Sequence, residues 1–191
     1  MLKSLDVVLS GKDEGLHLRL SELPALVADR RARAALRAIG EDGTGGVITL
    51  ALRHTAAALA LGEPGRDLLL PFVQAEHADG RPFRLAQHLR DWRNVERLIQ
   101  AALHLHVGFL FEREVLDVPV TLRAEQILAE LPDVAVTFCS PHIAAVLQSH
   151  HATYVELETV LSTEDAFNLV ELLNVETIRE FHTHQRAKTT T

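Results

Sequence analysis

"LHLRLSELPALVADRRARAALRAIG" runs from Leu16 to Gly40 and changes its hydrophobic period partway along. In its first part Leu16, Leu18 and Leu20 alternate with His17 and Arg19, which is the period of a half-buried strand. From Ser21 the rhythm becomes helical. Ser21 reads as the N-cap, Glu22 lies in the first turn and Gly40 is the stop signal. At about 100° per residue, Val27, Ala34 and Ala38 line one side of this helix. Arg30, Arg33 and Arg37 form a separate stripe, either a solvated face or a holder for an acidic partner. Upstream, "LDVVLS" (Leu5–Ser10) is a second short strand, and "GKDEG" between the two carries Gly11 and Gly15 for the turn. A β-hairpin therefore precedes the helix. Two strands alone are marginal in water, so the hairpin must lean on helices.

Helical signals dominate the chain beyond Gly40. "GEDGTGG" (Gly40–Gly46) has the glycines of a phosphate loop but lacks its Gly-Lys-Ser/Thr, so it reads as a linker. "VITLALRHTAAALALG" is apolar on nearly all sides and reads as a buried helix. "RDLLLPFVQAEHADG" reads as another helix, bent or begun near Pro71, and "RPFRLAQHLRD" as a connector. "WRNVERLIQAALHLHVGFLF" is a long helix with Asp91 as its cap, and Val95, Ile99, Ala102, Leu103 and His106 fall on one face. "DVPVTL" reads as extended and "TLRAEQILAEL" as helical, while "DVAVTFC" fits strand or helix. In "SPHIAAVLQSHH" Ser140 is the cap and Pro141 the first helical residue. "TYVELETVLS" and a long closing helix complete the chain. The expected class is mainly α, one domain over residues 1–191, with a β-hairpin (1–20), a helical body (21–187) and a short tail (188–191).

Composition agrees with that class. Of 191 residues, 47% are hydrophobic, 24% charged and only 5% aromatic, and Ala and Leu favour helices. The net charge of −7 disfavours nonspecific nucleic-acid binding, which needs a basic surface. A single cysteine, Cys139, fits a reducing cytoplasm. No signal peptide or membrane-spanning run is read from the chain.

The 11 histidines invite a metal reading, but their spacing opposes it. His104 and His106, like His182 and His184, are two apart, roughly 200° around a helix. His150 and His151 are adjacent and diverge. No HExxH, CxxC or GxSxG pattern is present. Cys139 sits in an apolar setting that suits a packing thiol. The expectation is a non-enzymatic chain without metal or cofactor. A small His-based metal-dependent protein is the minor alternative.

The closing segment "LSTEDAFNLVELLNVETIREFHTHQRA" (Leu161–Ala187) starts at a capping pattern, Ser162 with Asp165. Ala166, Phe167, Leu169, Val170, Leu173, Ile178 and Phe181 spread over about half the helix, wider than the roughly 100° stripe that a surface helix needs. Leu172 and Val175 lie outside even that face. The surplus reads as surface to be covered by another helix of the fold, a second subunit or a client protein, where burying either side chain contributes about 1.5–3 kcal/mol.

Leu16–Gly40 and Ala152–Phe181 together resemble the two ends of the tail assembly chaperones of tailed bacteriophages. There, a short strand runs into an "L-R-E-M-P-A"-like helix start, and an "E-L" helix leads into "S-x-E-D-A" and an acidic Leu-rich helix. Here Ser21-Glu22-Leu23-Pro24 lacks the basic residue before the acid, and Asn174 and Thr177 interrupt the final apolar face. The resemblance implies a protein of the infected host's cytoplasm that self-associates. Its partners would be the tape-measure protein, which it keeps soluble, and the tail-tube protein that polymerises around it. Partner-binding candidates are Phe167, Leu172, Val175, Ile178 and Phe181 on the closing helix, with Arg30, Arg33 and Arg37 on the first. A structural or connector protein of the phage tail is the alternative on the same residues.

Overall fold

The computed structural model describes residues 2–41, 43–61, 69–114 and 136–189. Its elements are β1 (Ser4–Val8), β2 (His17–Ser21), α1 (Ala25–Ala38), α2 (Gly46–Leu61), β3 (Gln74–His77), α3 (Leu85–His88), α4 (Arg93–Val107), α5 (Pro141–Gln148), α6 (Tyr154–Thr159) and α7 (Thr163–Thr189). The chain is mainly α-helical, with a small antiparallel sheet built on the N-terminal hairpin in the order β1-β2-β3. No described helix is long and apolar enough to cross a membrane.

The hairpin forms where the alternation placed it. Leu18 and Leu20 are buried while His17 and Arg19 face out. The turn uses the left-handed conformation twice, at Gly11 (φ 68°) and Gly15 (φ 88°), which glycine adopts without Cβ strain. The third strand departs from the sequence reading, which gave Gln74–His77 to a helix. Leu70–Phe72 forms a single 3-10 turn around Pro71, and the chain then pairs with β2 from Leu18↔His77 to Ser21↔Gln74. The vacant outer edge of β2 supplies the hydrogen-bond partners, and that outweighs local preference.

The start of α1 also differs from the sequence reading. Ser21 ends β2 rather than capping the helix, and α1 begins at Ala25 after Pro24. Pro24 holds an extended conformation (ψ 148°), so the chain enters the helix only beyond it. The buried face of α1 is Ala25, Leu26, Ala28, Ala32, Ala35 and Leu36, whereas Ala34 and Ala38 are exposed. An Ala-rich helix has more than one plausible apolar side, and the packing selected another. Gly40 ends the region as expected, at φ 84° with its N–H donated to the Arg37 carbonyl.

Two apolar clusters share α1. The first joins the hairpin, α2, α4 and the Ala28–Ala32–Ala35 side of α1 around Phe72, Leu98 and Leu103. The second joins Ala25 and Leu26 to Ile143 and Val146 of α5, Leu157 of α6 and Ala166 of α7. The expected face of α4 is buried as read, since Val95, Ile99, Ala102, Leu103 and His106 are all covered. Asp91 caps that helix more loosely than expected: its carboxylate takes the Arg93 N–H at 3.1 Å, one residue upstream of the cap position at Trp92. Ser140 takes the N-cap position of α5 and Pro141 the first helical one as read, but the Ser140 hydroxyl makes no capping bond and faces His142 instead. Thr153 and Glu156 complete a reciprocal capping box at α6, and Ser162 and Asp165 do the same at α7. The extended and helical pieces expected over 117–131 lie outside the described residues.

Asp13 fastens the hairpin to α4. Its carboxylate accepts the Arg90 N–H (2.7 Å), the Asp91 N–H (2.9 Å) and the Asn94 side-chain amide (2.8 Å). Burial alone would push this carboxyl up. The bonds from Asn94, Arg90 and Asp91 outweigh it and hold the group below its ordinary value. Asp13→Ala is therefore expected to orphan three donors and lower unfolding free energy by about 2–5 kcal/mol. Asp13→Glu is expected to recover part of that loss. Urea unfolding of the three proteins checks both expectations.

Candidate functional site

The charged and polar groups that the fold buries are the first place to look for chemistry. His106 is wholly buried on α4. Its Nδ1 is 2.7 Å from the Ala102 carbonyl, so Nδ1 carries the proton, and its Nε2 accepts the Leu23 N–H at 2.9 Å. Burial pushes its pKa down to about 4, against a smaller opposing pull from the Ala102 carbonyl. The ring is neutral at pH 7, and both nitrogens are spent on backbone. Its companion in the sequence pair, His104, is exposed on another side of the helix, as the two-residue spacing requires.

A second polar group joins α1 to the start of α5. Asp29 is 1% exposed, and its Oδ2 accepts the Ser140 N–H at 3.0 Å. Its Oδ1 points at Gly46, where a Cβ would sit 2.2 Å away, so only glycine allows α2 to begin there. Arg33, one turn along α1, donates to the Gly43 carbonyl (3.2 Å) and the Thr137 carbonyl (2.9 Å). Ser140 Oγ and His142 Nε2 are 3.2 Å apart. A serine, a histidine and an aspartate therefore gather in one place, a grouping that the sequence reading missed because Asp29 and Ser140 are 111 positions apart. The arrangement is not that of a nucleophile and its base. The aspartate holds the serine's backbone rather than the imidazole, and Ser140 is 0% exposed. The neighbouring Cys139 thiol is pushed up to about 11 by burial and then by the Asp29 charge, so it stays protonated. These groups secure helix starts.

The third is Glu22, 2% exposed at the junction of β1, α1 and α7. One carboxylate oxygen accepts the Lys3 N–H at 3.0 Å and the other has no partner among the described residues. Burial raises its pKa to about 7, against the Lys3 hydrogen bond and charge. Lys3 itself pairs with Glu164 at the start of α7.

The predicted partner-binding residues do not form one surface. The arginine stripe is split: Arg30 pairs with Glu158 of α6, Arg33 is turned inward to the two carbonyls, and Arg37 is exposed. Phe167 faces inward too, its ring 4.7 Å from His142 and 5.7 Å from Phe109. On α7 itself, Leu172 is 53% exposed, and Val175, Ile178 and Phe181 are half-buried. Beyond Ala166 no described side chain of this 27-residue helix is fully buried. His182 and His184 are both exposed near its end. Among the described residues no group of three or more His, Cys, Asp or Glu side chains is placed to hold a metal ion.

Among the described residues, clefts also open elsewhere on the body. An apolar one of about 510 Å³ lies between α2 and α4, with Leu52 and Phe111 exposed at its rim. A polar one of about 380 Å³ lies beside the hairpin, where His77 and His88 stand 5.3 Å apart. His88 Nδ1 accepts the Arg84 N–H at 3.0 Å. Comparison with protein-family models, curated proteins and solved structures finds no match to this chain.

Two of the perturbed titratable groups of the interior, His106 and Glu22, oppose each other in pH. His106 binds its proton more weakly folded (about 4) than unfolded (6.5), so its contribution is full above pH 6.5 and is lost as pH falls towards 4. Glu22 binds its proton more tightly folded (about 7) than unfolded (4.5), so its contribution is full below pH 4.5 and is lost as pH rises through 7. Each is worth at most about 3 kcal/mol. Between pH 4.5 and 6.5 their slopes offset, so stability is expected to change little there on their account. Glu22→Gln is expected to expose a loss of stability on acidification, and His106→Gln a loss on going from pH 4.5 to 7.5. Chemical denaturation across that range measures both.

Proposed function

We propose that this protein is a non-enzymatic tail assembly chaperone, which binds the tape-measure protein of a tailed phage and keeps it soluble while the tail tube forms. The single observation that carries the reading is α7. A capping box fixes its start, Ala166 anchors it in the body, and it then continues with Leu172, Leu173, Val175, Ile178 and Phe181 all left partly in water. At 1.5 Å per residue its 27 residues span about 40 Å. A helix that keeps this much apolar surface uncovered is suited to receive the apolar face of another helix. The net charge of −7 is suited to hold such a complex in solution. The likeness of Leu16–Gly40 and Ala152–Phe181 to tail assembly chaperones supplies the identity of the client.

Light scattering on a size-exclusion column, with and without a co-expressed tape-measure fragment, tests this directly. The expected result is a soluble complex holding several copies of the chain per fragment. A monomer that leaves the fragment insoluble overturns the reading, and recovery of the chain in purified particles points instead to a structural tail protein. The double variant Leu172→Gln, Val175→Gln is expected to weaken the complex at least tenfold. Because neither side chain is fully buried, its unfolding free energy is expected to stay within about 1 kcal/mol of the parent's.

A further inference from the structure

The small sheet has two edges, and they are finished differently. On the β3 side the chain closes its own edge: the His77 N–H donates to the Arg81 carbonyl (2.8 Å) and the Phe83 N–H to the Ala75 carbonyl (3.0 Å). On the β1 side nothing among the described residues does so. The Glu22 N–H bonds the Lys3 carbonyl and the Leu9 N–H bonds the Leu16 carbonyl, so the odd-numbered residues of β1 exchange hydrogen bonds with β2. Ser4, Asp6 and Val8 consequently turn their backbone N–H and C=O groups outward. Those groups have no partner among the described residues, and all three residues are exposed. Open edges of this kind are where proteins accept an added strand.

The side chains say what kind of strand. Register places Asp6 opposite Arg19, and Arg19 opposite Glu76, so the outer face carries a row of alternating charge across the three strands. Arg19 Nε reaches Asp6 Oδ1 at 3.0 Å, and Asp6 remains 73% exposed. The next place in that row lies beyond Asp6 and suits a cation. On the opposite face Leu5, 38% exposed, leaves apolar surface for a neighbour. A second copy of β1 fits poorly. Its fully overlapped antiparallel pairing sets Asp6 against Asp6, and like charges directly opposite are destabilising.

We propose that β1 is a docking edge for an extended segment of a partner protein, one that places a lysine or arginine beside Asp6 on the outer face and apolar residues beside Leu5 on the inner face. This rests on the sheet alone and is independent of the reading of α7.

The test uses the whole chain labelled with nitrogen-15 and a blocked synthetic peptide that alternates valine and threonine around a central lysine. Amide hydrogen exchange is read residue by residue. Added peptide is expected to protect the amides of Ser4, Asp6 and Val8, and a matching peptide with central glutamate is expected to bind about two- to fivefold more weakly. Asp6→Lys is expected to reverse that preference. Val8→Pro removes one outward donor and no bond to β2, and is expected to abolish binding while leaving the exchange of β2 unchanged. No protection at saturating peptide overturns the proposal, as does equal affinity for the two peptides. Protection that rises with protein concentration in the absence of peptide overturns it in favour of self-pairing.

Discussion

A buried backbone N–H must find an acceptor, and at the first turn of a helix the helix itself offers none. Three helix entrances in this protein are each answered by a distant side chain. His106 takes the Leu23 N–H ahead of α1, Asp13 takes those of Arg90 and Asp91 ahead of α4, and Asp29 takes that of Ser140 at α5. These bonds join elements 77 to 111 residues apart. They therefore orient the helices as well as satisfying them. The capping boxes of α6 and α7 join residues three apart and do not carry that second duty.

Packing depends on those entrances. With both the Leu23 and Ser140 donors answered, α1 lies between two apolar clusters and contributes small side chains to each. The alanines let α2 approach closely, and Gly46 lets α2 begin against the Asp29 carboxylate. Polar groups that the sequence scatters therefore converge on the interior, where they resemble a catalytic grouping by residue type alone. Their partners are mostly backbone atoms, and among the described residues the far part of α7 and the outer edge of β1 are left uncovered.

The hairpin, the long helices and the caps at Ser140 and Ser162 were legible because each rests on a period or on residues within one turn of each other. The third strand was misread because the apolar run before Pro71 dominated its neighbourhood. Asp79-Gly80 after it is a turn signal that could have revealed it, and Gly80 does take the left-handed conformation at φ 82°. The buried side of α1 was misassigned because alanine marks no face strongly. The apolar stripe of α7 was readable as a stripe. That Phe167 would turn inward while Leu172 stayed in water was not, because that depends on where His142 and Phe109 lie.

By itself the sequence determined the mainly helical class, the position of the hairpin and the ends of most helices, because these depend on contacts between near neighbours along the chain. Only the tertiary structure decided which of the stripe's three arginines is buried, which of two histidines holds a backbone amide and which edge of the sheet has no strand against it among the described residues. Those outcomes depend on groups brought together from distant parts of the chain, and no local spacing encodes that meeting.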